Sequence, residues 1–111
     1  MKTRVDSITP SGGNAFADLG LPDAEERKIK VQLAVAINAQ ITRRRLTQLQ
    51  AAERLGINQP KVSALLNYKL SGFSVERLMR FLSALNQEIE ITIRSRPNSR
   101  QPGRIFVSQA A

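Results

Sequence analysis

The chain reads QLQAAERLGINQPKVSALL from Gln48 to Leu66, and this stretch decides the fold. One short helical pattern ends at Gly56, and a second begins two residues later with Asn58 and Pro60. Glycine can take the left-handed backbone that ends a helix, asparagine can cap the next helix, and proline is tolerated in a first helical turn. Two short helices joined in this way are typical of a helix-turn-helix.

Apolar side chains in the same stretch occupy the positions that two crossing helices must bury. Ala52 is small where the helices approach each other, and Leu55 and Ile57 lie on either side of the turn. The inward face of the second helix is expected to contain Val62, Leu65 and Leu66. An ordinary helical corner needs the same glycine cap and apolar spacing, so it is the alternative. The combination of all these features favours the DNA-binding motif.

The composition favours a polyanionic partner. The 111 residues carry a formal net charge of +8, with 17 Lys and Arg against 9 Asp and Glu. In a small helical domain, such an excess makes nucleic acid the default candidate. The alternative is a soluble protein with a basic tail.

Several function classes are excluded or disfavoured by what the sequence lacks. It contains no His and no Cys, which excludes disulfides, thiolate metal sites and Ser-His or Cys-His catalysis. We therefore expect no enzyme activity, no metal and no cofactor. No apolar run approaches the roughly 20 residues of a membrane span. The first residues also lack the apolar region of a secretory signal, so we expect a cytoplasmic protein.

Composition and periodicity divide the chain into three parts. Residues 1–13 are predicted to be a disordered N-terminal segment, 14–95 a helix-turn-helix domain, and 96–111 a basic flexible tail. The alternative to a flexible tail is an arm that lies in a DNA groove or a segment that binds a partner. Phe16 and Leu19 are expected to form an anchoring turn against the domain.

Helices are expected on both sides of the motif. A long helix is predicted from about residue 23 to 44, with acidic residues at its start and Arg43, Arg44 and Arg45 at its end. These arginines could cap the helix, contact phosphates, or do both. Residues 67–73 are read as a loop, after which Ser74 is predicted to cap a last helix that runs to about Leu85.

The pattern changes from helical to alternating after this last helix. Ile89, Ile91 and Ile93 alternate with polar residues, which predicts a half-buried β-strand. A lone strand is not stable, because its backbone needs a ladder partner. We favour pairing with the same strand of a second subunit, which would make these three isoleucines the dimerisation residues. The alternative is pairing with residues 105–107 of the same chain.

The DNA-binding hypothesis assigns roles to individual residues. The N-terminal residues of the second motif helix meet base edges, and the flanking elements contact phosphates. Gln59 could bond adenine N6 and N7, and Lys61 could reach guanine O6 and N7 or a phosphate. The candidates for base contact are Gln59, Pro60, Lys61, Ser63 and Ala64. The candidates for phosphate contact are Gln48, Asn58, Asn67, Lys69 and Arg44.

Several short runs resemble the Xre family of lambda-repressor-like DNA-binding proteins. They are LTQ at 46–48, AA at 51–52, LGI at 55–57 and QPKVS at 59–63. A narrower similarity to HigA-type antitoxins is carried by FADLGL at 16–21, LSGFSVERLMRFL at 70–82 and IEI at 89–91. The family's bundle often has five helices, whereas the pattern here predicts four helices and a strand. The resemblance covers about residues 14–96.

The expected fold is therefore mainly α, a lambda-repressor-like helix-turn-helix bundle of four to five helices with one C-terminal β-strand. The resemblance implies a dimeric repressor of its own operon, with a RelE-like toxin as protein partner. The leading hypothesis is a homodimeric, sequence-specific repressor that binds double-stranded DNA at a palindromic operator. The alternatives are a toxin-neutralising interaction module with secondary DNA binding and a stand-alone phage-type regulator. RNA binding is disfavoured because aromatic stacking residues are scarce.

Overall fold

The computed structural model describes residues 23–97 and 100–110, and within them the chain forms four α-helices. They are α1 (Asp23–Arg43), α2 (Gln48–Leu55), α3 (Gln59–Leu66) and α4 (Val75–Ala84). These bounds confirm the four predicted helices to within a residue at each end. None of the helices in the described part is long and apolar enough to cross a membrane. The predicted disordered segment 1–13 and the anchoring turn at Phe16 and Leu19 lie outside the described residues.

One hydrophobic core joins the four helices. The long helix α1 packs against α4 and α3, while α2 packs against α3 and α4. Val75, Leu78, Phe81 and Leu82 of α4 are buried, as are Ala51 and Ala52 of α2. Leu70 and Phe73, which the sequence places in a loop, are also buried in this core and hold the α3–α4 connection against the bundle.

Side-chain caps fix where three helices begin. Thr47 and Gln50 form a capping box at the start of α2: the Gln50 backbone N–H donates to Thr47 Oγ1 over 3.1 Å, and the Thr47 N–H donates to Gln50 Oε1 over 2.9 Å. Asn58 Oδ1 accepts the Lys61 N–H at the start of α3, and Ser74 Oγ accepts the Arg77 N–H at the start of α4. Each cap satisfies an N–H group that has no partner inside its helix.

The predicted C-terminal β-strand is not seen in the described residues, which corrects the expected fold. After Gln87, whose N–H donates to the Leu82 carbonyl, no described backbone–backbone hydrogen bond holds 88–97. Pairing with 105–107 does not form either, because that segment lies on α1, where the Val107 N–H donates to Gln32 Oε1 over 3.3 Å. The physical reason is that a strand needs a ladder, and the described chain provides no second strand.

The turn between α2 and α3 depends on Gly56, where any other residue type would strain the backbone. Gly56 has φ 71°, and a Cβ at this position would meet no atom within 4 Å. We expect Gly56→Ala to lower the free energy of unfolding by about 1 kcal/mol through backbone strain alone. Gly72→Ala is the matched control, because Gly72 is equally uncrowded and does not have a positive φ. If the two variants unfold at the same urea concentration, alanine at position 56 does not strain the backbone.

Candidate DNA-binding surface

One side of α3 is held in the core and the other side is open to a ligand. Val62 and Leu65 are fully buried. Gln59 and Pro60 are exposed at the N-terminus of the helix. The remaining candidates for base contact, Lys61, Ser63 and Ala64, are partly exposed. The helix is therefore presented in the way that a helix-turn-helix presents its second helix to the major groove.

Asn58 has a structural role that limits what it can offer to DNA. Its Oδ1 accepts the Lys61 backbone N–H over 2.9 Å, so the acceptor of this side chain is used by the helix cap. The amide N–H groups of Asn58 are donors, and a phosphate oxygen is an acceptor. The residue can therefore cap α3 and contact a phosphate at the same time.

The Lys61 side chain is held by an aromatic ring of the α3–α4 connection. Its Nζ lies 5.5 Å from the centroid of the Phe73 ring. That ring in turn packs edge-on against Phe81 of α4, with centroids 5.8 Å apart and an interplanar angle of 78°. A cation over a ring face is stabilised by about 0.5–1 kcal/mol at an exposed site. Phe73 therefore restricts the directions that the Lys61 ammonium can take, which the sequence did not indicate.

The candidates for phosphate contact differ in how exposed they are and in the hydrogen bonds they make within the domain. Gln48 is exposed at the start of α2, and Lys69 is exposed just after α3. Asn67, which caps the end of α3, donates from Nδ2 to the Ser63 carbonyl over 2.9 Å. Arg44 is half-buried, and its guanidinium donates to the Leu85 carbonyl at the end of α4. That contact gives Arg44 a role in joining α1 to α4, and only its remaining N–H groups are left for DNA.

The partly buried side chain of Asn38 connects α1 to α3. Asn38 of α1 donates from Nδ2 to the Leu65 carbonyl near the end of α3, over 3.1 Å. Its Oδ1 is buried without a hydrogen-bond partner among the described residues. The bond fixes the C-terminal end of α3 relative to α1. The only sequence signal for this contact is a polar residue inside the apolar stripe of α1.

The charge around α3 suits a polyanion. The sequence contains no Asp or Glu from Arg54 to Val75, and this stretch includes Lys61 and Lys69. The side-chain ion pairs of the described residues lie elsewhere, between Lys30 and Glu26 in α1 and between Arg80 and Glu76 in α4. The two lysines beside α3 are therefore not neutralised by an acidic side chain in the described part of the chain.

Fold and surface together define the class of a helix-turn-helix DNA-binding domain. Comparison of sequences supports this class, since the helix-turn-helix domain family matches residues 15–94. A solved structure named as an XRE family transcriptional regulator is 65% identical, with a TM-score of 0.75, and the alignment covers 80% of this chain and 100% of that chain. No curated protein matches the chain in sequence. The chain belongs to the XRE-type helix-turn-helix family.

Proposed function

We propose that this protein is a homodimeric, sequence-specific DNA-binding repressor that acts on a palindromic operator. The observation that carries the proposal is the presentation of α3: Val62 and Leu65 on its inward side are fully buried, while Gln59, Pro60 and Lys61 lie at its open N-terminus. Gln59 would bond adenine N6 and N7, and Lys61 would bond guanine O6 and N7 or a phosphate. Pro60 and Ala64 would offer apolar contact to a thymine methyl, and Ser63 a hydroxyl.

Dimerisation is supported by the apolar residues that the single chain leaves in solvent. Ile89, Ile91 and Ile93 are 40%, 50% and 58% exposed, and they share one face if the segment is extended. Antiparallel pairing of this segment across a two-fold axis would bury these side chains and supply the missing ladder. A two-fold dimer also places two recognition helices about one DNA turn apart, which is how a palindrome is read.

Selection of bound sites from a random pool of duplex DNA with the purified full-length protein tests this proposal. We expect an enriched inverted repeat with half-sites about 10 base pairs apart, centre to centre. An enriched sequence without symmetry would contradict the dimer and leave DNA reading intact. Recovery of unenriched DNA would contradict sequence-specific binding.

Operator binding should depend steeply on salt, because cationic candidates for phosphate contact such as Lys69 and Arg44 would release counterions from DNA on binding. The logarithm of the binding constant should fall with the logarithm of salt with a slope of about −0.9 for each phosphate contact. Lys69→Ala should make that slope shallower by about two in a dimer, since both protomers lose one contact. Lys28→Ala removes the same charge from α1 beside Ile105 and Phe106, and it should leave the slope unchanged. Equal slopes for the two variants would show that Lys69 does not contact phosphate.

More specifically, we propose that the repressor is also an antitoxin. This role is supported by the resemblance of the runs at 16–21, 70–82 and 89–91 to HigA-type antitoxins. The partner would then be a RelE-like RNA-cleaving toxin. A small toxin-like reading frame beside the gene, whose product forms a complex with this protein on co-purification, is the expected result. Its absence would favour a stand-alone regulator that reads DNA through the same surface.

A further inference from the structure

Three helices end in the same hydrogen-bonded turn, which requires a left-handed residue just after the helix. After α3, the Tyr68 N–H donates to the Leu65 carbonyl over 3.2 Å, and the Lys69 N–H donates to the Ala64 carbonyl over 2.8 Å. The same pair of bonds is made after α1 and after α4. The left-handed residues in these turns are Arg45, Tyr68 and Asn86, with φ of 53°, 58° and 62°. They are Schellman caps, in which glycine is the usual residue.

Tyr68 is a bulky aromatic residue at this position. Asparagine tolerates a positive φ because its short side chain can bond locally, but a bulky side chain with a positive φ is a conformational outlier. Glycine would make the same two backbone bonds without that penalty. With tyrosine instead of glycine, the cap after α3 is therefore less stable than it could be. Strained residues of this kind are concentrated at functional sites.

The Tyr68 side chain is placed to act outside the domain. It is 42% exposed, and its hydroxyl has no hydrogen-bond partner among the described residues. It follows Asn67, which caps the end of α3, and precedes Lys69, on the stretch that contains no Asp or Glu.

We propose that Tyr68 is a DNA-contacting residue whose hydroxyl donates to the sugar–phosphate backbone beside the C-terminal end of α3. The proposal rests on the proposed DNA binding. The C-terminal end of a recognition helix lies away from the base edges that its N-terminal residues read, and tyrosine hydroxyls are among the side-chain groups that bond phosphates. The residue therefore adds affinity on every DNA sequence, and it does not select a base.

Three variants of the full-length protein separate this role from a structural one. Tyr68→Phe removes only the hydroxyl, and Tyr68→Gly removes the side chain and the backbone strain together. Asn86→Gly is the matched control, since it makes the same kind of change in the corresponding cap of α4. Binding is measured by fluorescence anisotropy on the operator selected from the random pool and on a random duplex of equal length. Thermal unfolding is followed for each variant.

The expected result is a loss of affinity without a loss of stability. Tyr68→Phe and Tyr68→Gly should weaken binding about 100-fold or more, to the same extent on both duplexes, because each protomer of the dimer loses a hydrogen bond to a charged acceptor. Neither variant should unfold at a lower temperature than the wild type, and Asn86→Gly should bind like the wild type.

Two results would overturn the inference. Variants of Tyr68 that bind both duplexes like the wild type would show that the hydroxyl makes no DNA contact. Lower unfolding temperature for Tyr68→Gly, with unchanged binding by Tyr68→Phe, would show that the ring serves packing. In both cases the wild type still binds its operator, so the proposed function stands. A wild type that binds neither duplex contradicts the proposed function itself.

Discussion

Replacing Gln59 and Lys61 together by alanine should remove most of the preference of the protein for its operator over random DNA. Each base contact of this kind contributes about 1–3 kcal/mol of discrimination, so losing both in each protomer, four contacts in all, should lower the specificity ratio about 1,000-fold or more. The measurement is competition of labelled operator with random duplex, for the double variant and for each single variant. Gln59→Ala should relax the selected sequence at one position of each half-site.

The fold should tolerate these substitutions, so the result can be read as a binding effect. Gln59 is exposed, and the helix cap uses the backbone N–H of Lys61, which alanine retains. The loss of the contact between Lys61 and Phe73 should cost less than about 1 kcal/mol of stability. Lys69→Ala serves as the matched control, because it should weaken both DNAs alike. Equal losses on operator and random DNA for the double variant would show that Gln59 and Lys61 contact only the backbone.

The helices and their starting caps could be predicted because they depend on local chemistry. Thr47, Asn58 and Ser74 are residue types that bond the free N–H groups of a first helical turn, and each does so in the structure. Gly56 was predicted to take a left-handed backbone for the same kind of local reason, and its φ of 71° confirms it. The face of α3 that packs inward followed from helical spacing in the same way.

The features that the sequence did not indicate depend on contacts between distant residues or on departures from residue preference. Asn38 reaches the Leu65 carbonyl across 27 positions of sequence, and Phe73 meets Lys61 only because the α3–α4 connection folds back on the core. Tyr68 carries no signal for a left-handed cap, because glycine or asparagine is the usual residue there. The sequence therefore predicted which side of α3 is buried, but not the contacts that hold α3 in place.

The substitution Ile91→Lys should convert the protein into a monomer that binds its operator weakly. Ile91 is at the centre of the exposed isoleucines, so antiparallel pairing of residues 88–94 across a two-fold axis would place it at or near the axis, with its partner copy close by. Two lysines would then bring like charges into an apolar interface, which opposes association. Sedimentation equilibrium measures the mass, and titration of the operator measures the affinity.

A monomer would still carry an intact recognition helix, which makes the two readouts separable. Each half-site would be bound by one domain alone. The affinity for the whole operator should therefore fall by a factor on the order of 100 to 10,000, which is the gain from linking two DNA-binding domains. Binding to a single half-site should stay close to the wild-type value, because α3 and its neighbours do not include the substituted segment.

Thr92→Lys is the matched control: it adds the same charge one residue further on, and successive side chains of a strand point to opposite faces. If Ile91→Lys keeps a dimer mass, then strand pairing does not join the protomers. If Thr92→Lys dissociates the dimer equally, the segment is buried on both faces and is paired in some other arrangement.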